Sequence, residues 1–137
     1  MEKPGPIDMT EFDEYQIDQP MENGIILLRN NVQTGIWTNV PHLCIDHSPT
    51  GYEWGYEGSG PADLALNIVE NILWIIGHRG PRMSCYSGSC FEAATYIHQS
   101  FKAAFLVMVK NDTIIDYHKA QEYVALAVDE ILGVSDE

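Results

Sequence analysis

Hydrophobic and polar positions divide the chain into a first part with short strand-like runs and a second part with helical spacing. Runs rich in β-branched and aromatic residues, bounded by turn formers, predict strands at 24–30, 34–40 and 42–46. Apolar residues three or four positions apart predict helices at 61–76, 91–109 and 117–132. The pattern predicts an α+β fold, in which a small antiparallel sheet of about three strands is followed by three helices.

The predicted helix 61–76 is the most apolar segment, and its few polar residues form one narrow stripe. A helix with so little polar surface is expected to be buried, so we predict that it is the central element. Pro61 suits the first helical position, with Gly60 as the cap. The Gly/Ser-rich segment 78–90 is predicted as a loop. Residues 113–115 are predicted as a brief extended link before a third helix capped by Asp116.

The length of 137 residues fits one domain, and the net charge of −13 is concentrated near the termini. We predict an irregular acidic arm at 1–22, a single domain at 23–133 and an acidic tail at 134–137. This acidity argues against direct binding of nucleic acid, because contacts to phosphates need a basic surface. It is compatible with imitation of nucleic acid toward a basic protein partner.

Several features bear on the compartment. No apolar run approaches the roughly 20 residues that cross a bilayer. The N-terminus lacks the basic and apolar regions of a signal peptide. Three cysteines, an odd number, fit a reducing environment better than a disulfide framework. We therefore expect a cytoplasmic protein with no membrane partner.

The stretch HSPTGYEWGYEGSGPADLAL, residues 47–66, is the most distinctive motif of the chain. It resembles the signature of a family of small uncharacterised proteins that are common in bacteriophages and mobile elements. The similarity covers roughly residues 24–132; the acidic arm, the long 78–90 segment and Glu57 in place of a usual glycine depart from it. The resemblance implies a viral or mobile-element setting and a functional signature loop, but no specific activity.

The signature loop has two interpretations, which the sequence leaves open. As a ligand site, it offers the N–H groups of a helix N-terminus to an anion, aromatic rings for stacking and nearby arginines for phosphate. As a structural turn, it caps a helix while its aromatic rings pack over the sheet. The candidate ligand-binding residues are His47, Tyr52, Trp54, Tyr56, Gly58, Ser59, Gly60, Asp63, Arg79 and Arg82.

Metal binding and catalysis are the less favoured chemistries. Cys44 and His47 with Cys85 and Cys90 have the residue types of a tetrahedral zinc site, but their spacing is loose. Plain buried thiols, or pairing of Cys85 with Cys90, are the favoured explanation of these cysteines. His47 is the best general-base candidate, although no catalytic motif accompanies it. We expect no metal, no cofactor and no enzymatic activity.

Two functional hypotheses follow. The first is a phage-type anti-defence protein that sequesters a small nucleotide-like immune signal through the aromatic and glycine loop, as a homo-oligomer around a shared pocket. The alternative is an acidic inhibitor that mimics nucleic acid and blocks a CRISPR effector or another basic host defence factor.

Overall fold

The computed structural model describes residues 20–28, 37–43, 54–55, 57–85, 88–109 and 112–132. These residues form an α+β fold, which confirms the predicted fold class. A 3-10 turn at Met21–Asn23 precedes the first strand. The strands and helices are β1 (Ile25–Leu28), β2 (Trp37–Thr38), α1 (Ser59–Ile75), β3 (Arg82–Ser84), β4 (Ser89–Phe91), α2 (Glu92–Phe105), β5 (Thr113–Ile115) and α3 (Tyr117–Leu132).

The main sheet is antiparallel and has β1 between β2 and β5. Ile25 lies opposite Ile115 in β5, and its side chain is buried. The side chain of Asn39, directly after β2, continues the pairing on the opposite side of β1 from β5: its Oδ1 accepts a hydrogen bond from the Ile26 N–H (2.8 Å) and its Nδ2 donates to the Gly24 carbonyl (2.9 Å). An amide side chain therefore serves as a further sheet partner for β1.

The third strand of this sheet differs from the prediction. Residues 41–43 form no strand, and 44–46 lie outside the described residues. The strand that completes the sheet is β5, in the segment predicted as an extended link. Local patterns show which residues favour extended backbone, but they do not identify a pairing partner far along the chain.

The predicted loop at 78–90 contains a second antiparallel pair, formed by β3 and β4, with Met83 opposite Cys90. The prediction was wrong here because the strands are only three residues long and β3 is exposed throughout, so they lack hydrophobic alternation. The glycine and serine residues between β3 and β4 instead made the segment look like a loop.

The helices lie close to their predicted positions. The α3 bounds are as predicted, and the Asp116 carboxylate accepts hydrogen bonds from the N–H groups of His118 (2.8 Å) and Lys119 (3.2 Å), which confirms the cap. The α1 helix starts two residues early, so Gly58 rather than Gly60 precedes it. The α2 helix ends at Phe105 instead of 109, and the next carbonyl, that of Leu106, accepts a hydrogen bond from Gly55 (2.8 Å).

The core surrounds α1, which packs against α2 and α3. The helix is buried from Gly60 to Leu73 apart from half-buried Asn71, which confirms the predicted central helix. Met21, in the segment predicted as the arm, also packs into this core. No helix among the described residues is long and apolar enough to span a membrane. The largest fully buried side chains are Trp54, Phe91, Phe101, Ile25, Leu27, Leu64, Leu66, Ile68, Ile72, Leu73 and Ile97.

Candidate functional site

The predicted ligand-binding residues fall into two groups at opposite ends of α1. Trp54, Gly58–Gly60 and Asp63 lie at the N-terminal end, whereas Arg79 and Arg82 follow the C-terminal end. The 17 residues of α1 span about 25 Å at 1.5 Å per residue. The arginines therefore do not join the helix N-terminus in one ligand cradle. His47, Tyr52 and Tyr56 lie outside the described residues.

At the N-terminal end, the signature loop is fixed to the body of the protein. The Trp54 side chain is 1% exposed and belongs to the core. The hydrogen bond from Gly55 to Leu106 docks the same segment on the end of α2. Asp63 is fully buried rather than placed at the exposed helix start. Trp54 is therefore part of the packed core, as the interpretation of the loop as a structural turn expects.

Lys102 is a cation near this loop that the sequence analysis missed. Its Nζ lies 2.8 Å from Oε1 of Glu57, and the lysine is 9% exposed while the Glu57 side chain is 66% exposed. The ion pair joins α2 to Glu57, two residues before the start of α1. A lysine on an amphipathic helix is ordinarily assigned to solvent, so helical periodicity alone gave no sign of this contact.

The polar stripe of α1 is buried, where it holds neighbouring segments. Asn67 Oδ1 accepts a hydrogen bond from the Leu43 N–H (2.7 Å), and Asn67 Nδ2 donates to the Asp63 carbonyl (2.9 Å). Asn71 Nδ2 donates to the Asn67 carbonyl (2.7 Å). Buried polar groups require such partners, and here they fix the chain that follows β2 to α1.

Glu70, one turn further along the same stripe, anchors the β3–β4 pair. Its carboxylate is 3% exposed; Oε2 accepts from Arg82 Nη2 (2.9 Å) and Oε1 from the Phe91 N–H (2.8 Å). Arg82 also donates to the Ser89 hydroxyl (3.2 Å) and carbonyl (3.0 Å), and its guanidinium lies over the Phe91 ring at 4.5 Å. Arg82 thus has a structural role besides any contact with a ligand.

An open cavity of about 360 Å³ lies beside this ion pair. Its wall includes the indole of Trp74, which is 55% exposed, and the half-buried Asn71 side chain. The guanidinium of Arg79 lies 3.3 Å from the centroid of the Trp74 ring. Arg79 Nη1 donates to the carbonyls of Trp74 (3.0 Å) and His78 (2.6 Å), which caps the C-terminal end of α1. The lining residues are Leu43, Glu70, Asn71, Trp74 and Arg82.

This arrangement has the chemistry of a small-ligand site. An exposed indole offers a flat apolar face, and a guanidinium offers fork-shaped donors to phosphate or carboxylate. Glu70 balances the charge of Arg82, the cation that lines the cavity. Arg79 is not a lining residue but contacts the Trp74 ring, and it has no carboxylate within ion-pair distance among the described residues. The sequence analysis missed Trp74 as a site residue. The sequence feature that could have indicated this site is a tryptophan at the predicted end of the helix, followed five residues later by an arginine.

Other titratable residues have packing roles. His98 is buried, and its Nδ1 lies 3.1 Å from the carbonyls of Ala94 and Thr95. Burial, and secondarily the charge of Glu22, raises the pKa of Tyr117 above its ordinary value. Neither residue lines the cavity beside Trp74.

The described residues contain no group of three or more His, Cys, Asp or Glu side chains that could hold a metal ion. Cys44 and His47 of the hypothetical zinc set lie outside the described residues, so that set is not assembled here. Cys85 is half-buried and Cys90 is buried.

Residues 21–74 match the model of a family of unknown function, DUF6166. The match begins at the turn before β1 and ends at Trp74, so it includes the signature loop and nearly all of α1. Arg79, the β3–β4 pair, α2 and α3 lie beyond it. No curated protein and no solved structure is significantly similar to the chain.

Proposed function

We propose that this protein binds a small nucleotide-type ligand in the cavity beside Trp74. The observation that carries the proposal is an exposed indole with a guanidinium 3.3 Å from its centroid, at the edge of an open cavity. The volume of about 360 Å³ is near the lower end of the range for small-molecule sites, about 300–1,000 Å³. A ligand of mononucleotide size fits this range better than a cyclic oligonucleotide.

Each group has a part in the proposed complex. The base stacks on the Trp74 indole, the phosphate accepts hydrogen bonds from Arg79, and the Asn71 amide lies at the cavity wall to select a polar edge. Both carboxylate oxygens of Glu70 already accept hydrogen bonds, so Glu70 keeps Arg82 in place rather than binding the ligand.

The proposed biological action is sequestration. Removing a signal from solution requires tight binding and no chemical step. In the phage or mobile-element setting that the sequence resemblance implies, the ligand is a nucleotide immune signal and the protein acts against host defence. Mass spectrometry of small molecules released from protein purified from infected cells identifies that ligand.

Calorimetric titration tests the binding step. The panel contains mononucleotides, cyclic mono- and dinucleotides and ADP-ribose, each added to the full chain. Base stacking is worth about 1–3 kcal/mol, so Trp74→Ala weakens binding roughly tenfold to hundredfold. Arg79→Gln weakens binding of a phosphorylated ligand more than that of the matching nucleoside.

Tyr96→Ala is the matched control, since it removes another exposed aromatic ring that does not line the cavity. We expect this variant to bind like the wild type. Absence of binding across the panel refutes the proposal. If Trp74→Ala binds the ligand as tightly as the wild type, the ligand binds outside this cavity. The N-terminus of α1 and its signature loop are then the next candidate site.

The net charge of −13 favours a second candidate, an acidic inhibitor of a basic host factor. Deleting residues 1–19, which contain six of the acidic residues, then abolishes inhibition and leaves nucleotide binding unchanged. Inhibition that resists both this deletion and high salt contradicts nucleic-acid mimicry.

A further inference from the structure

The surface of α3 carries a second stripe of residues, separate from the one that packs on the core. Lys119, Tyr123, Leu126 and Glu130 are spaced four, three and four positions apart, so they lie along one side of the helix. Lys119 and Glu130 are exposed, Tyr123 is half-buried, and Leu126 is 64% exposed. We call these four residues the α3 seam. A 4–3–4 spacing is that of helices that pack against one another at a shallow angle.

The seam borders an open groove of about 610 Å³. Ser100 from α2 forms one side, and Tyr123 and Leu126 are among the α3 residues on the other. Tyr123 is held from beneath, since its ring meets those of Phe101 and Phe105 edge-on at centroid distances of 5.8 and 5.5 Å. The groove therefore has a firm aromatic floor beside an exposed leucine, which is suitable for a helix.

The charge order along the seam indicates which helix fits. Its first residue is basic, its last is acidic, and the two between are apolar or aromatic. We propose that α3 packs antiparallel on α3 of a second copy of this chain. A two-fold axis between Tyr123 and Leu126 then sets each Lys119 against the Glu130 of the other copy, and each Tyr123 against the opposite Leu126. Such an interface is self-complementary, as a symmetric dimer requires.

Within the α3 seam itself, this register sets no like charges opposite one another. A parallel arrangement instead sets Lys119 against Lys119 and Glu130 against Glu130, which is unfavourable. The charges of Lys119 and Glu130 therefore favour a second copy in the antiparallel direction.

The interface is small. The seam covers about 16 Å of helix, and the dimer must overcome the net charge of −13 on each chain. Interfaces of this size form weak complexes, so we expect a dissociation constant in the micromolar range. This inference is independent of the ligand site beside Trp74, because none of the seam residues lines that cavity.

Sedimentation equilibrium of the full chain over a wide concentration range tests the proposal. The wild type shows a reversible monomer–dimer equilibrium. Leu126→Glu abolishes the dimer, whereas Met108→Glu, which changes another exposed apolar residue away from the seam, retains it. Urea unfolding of each variant checks that both remain folded, which is expected because both side chains are largely in solvent.

A charge exchange gives a more specific test. Lys119→Glu and Glu130→Lys each weaken the dimer at least tenfold, and the double variant recovers most of the loss. A wild type that is monomeric at every concentration overturns the proposal. So does a dimer insensitive to Leu126→Glu, or a double variant no better than the single ones.

Discussion

Replacement of Glu70 is the most informative perturbation of the fold, because one buried carboxylate holds two elements. Glu70→Ala removes the acceptor of the Phe91 N–H and the partner of Arg82. An unsatisfied buried N–H costs about 1–3 kcal/mol. The lost ion pair adds about 1 kcal/mol, since the Arg82 side chain is 42% exposed and regains water. We expect a loss of about 3 kcal/mol in the free energy of unfolding.

Two milder substitutions separate these contributions. Glu70→Gln keeps an oxygen for the Phe91 N–H and loses only the charge, so it costs about 1 kcal/mol. Arg82→Met keeps the apolar stem over the Phe91 ring but leaves a buried carboxylate without its cation, so we expect about 2 kcal/mol. The double variant Glu70→Gln/Arg82→Met has no buried charge left without a partner. Its loss of stability is therefore about 1 kcal/mol smaller than the sum of the losses in Glu70→Gln and Arg82→Met.

Urea unfolding followed by circular dichroism at neutral pH measures the stability of the wild type and of these four variants. For a chain of this length, each kcal/mol corresponds to about 3–5 °C in Tm. Glu122→Gln, an exposed carboxylate on α3, is the control and stays within about 0.5 kcal/mol of the wild type. A Glu70→Ala protein destabilised by less than about 1 kcal/mol, or strictly additive single variants, would refute this account of the anchor.

Three further outcomes follow from single residues. Gly24→Ala should lower the free energy of unfolding by about 1–3 kcal/mol, since Gly24 has φ 138° and a Cβ there would lie 2.9 Å from the Ile114 side chain; an unchanged urea midpoint contradicts this. Trp54→Ala should lower the free energy of unfolding by about 3–5 kcal/mol and Trp74→Ala by less than about 1 kcal/mol, because the first indole is buried and the second is exposed. Similar shifts in Tm for the two variants would contradict this difference in burial. The Tyr117 hydroxyl is buried without a hydrogen-bond partner among the described residues, so Tyr117→Phe should be nearly neutral at pH 7. Since burial raises the pKa of Tyr117 above 10.0, its contribution to stability is complete below pH 10 and is lost as pH rises through the folded-state pKa. The variant should therefore lose less stability above pH 10 than the wild type, and equal losses in unfolding experiments there contradict the reasoning.

The helices could be predicted because their information is local. The α3 helix has its cap, Asp116, and its apolar spacing within one continuous segment, and both appear in the structure as predicted. The position of α1 also follows from its own composition. The strands were harder to predict from the sequence. β5 pairs with β1 from the opposite end of the chain, and β3 and β4 are too short and too polar to show the alternation of apolar and polar residues that is typical of strands.

The candidate site shows the same limit. Residue types at the signature loop indicated stacking and anion binding, but the structure buries Trp54 and leaves Trp74 exposed at the other end of α1. Which tryptophan is buried depends on the tertiary packing of the whole domain, and no pattern within the loop records that. The ion pair of Glu57 with Lys102 likewise joins residues from two elements. Side chains from separate elements meet only through the tertiary fold.

The central claim is that the cavity beside Trp74 binds a nucleotide-type ligand, and the most direct measurement is a titration followed by the indole N–H signals of ¹⁵N-labelled protein. Trp54 and Trp74 report on the two ends of α1. Because the chain has three tryptophans, Trp37→Phe and Trp74→Phe together assign the three indole signals. We predict that the Trp74 signal shifts in a saturable way with added nucleotide while the Trp54 signal stays unchanged. A Trp74 signal that does not move, or shifts confined to Trp54, would contradict the claim.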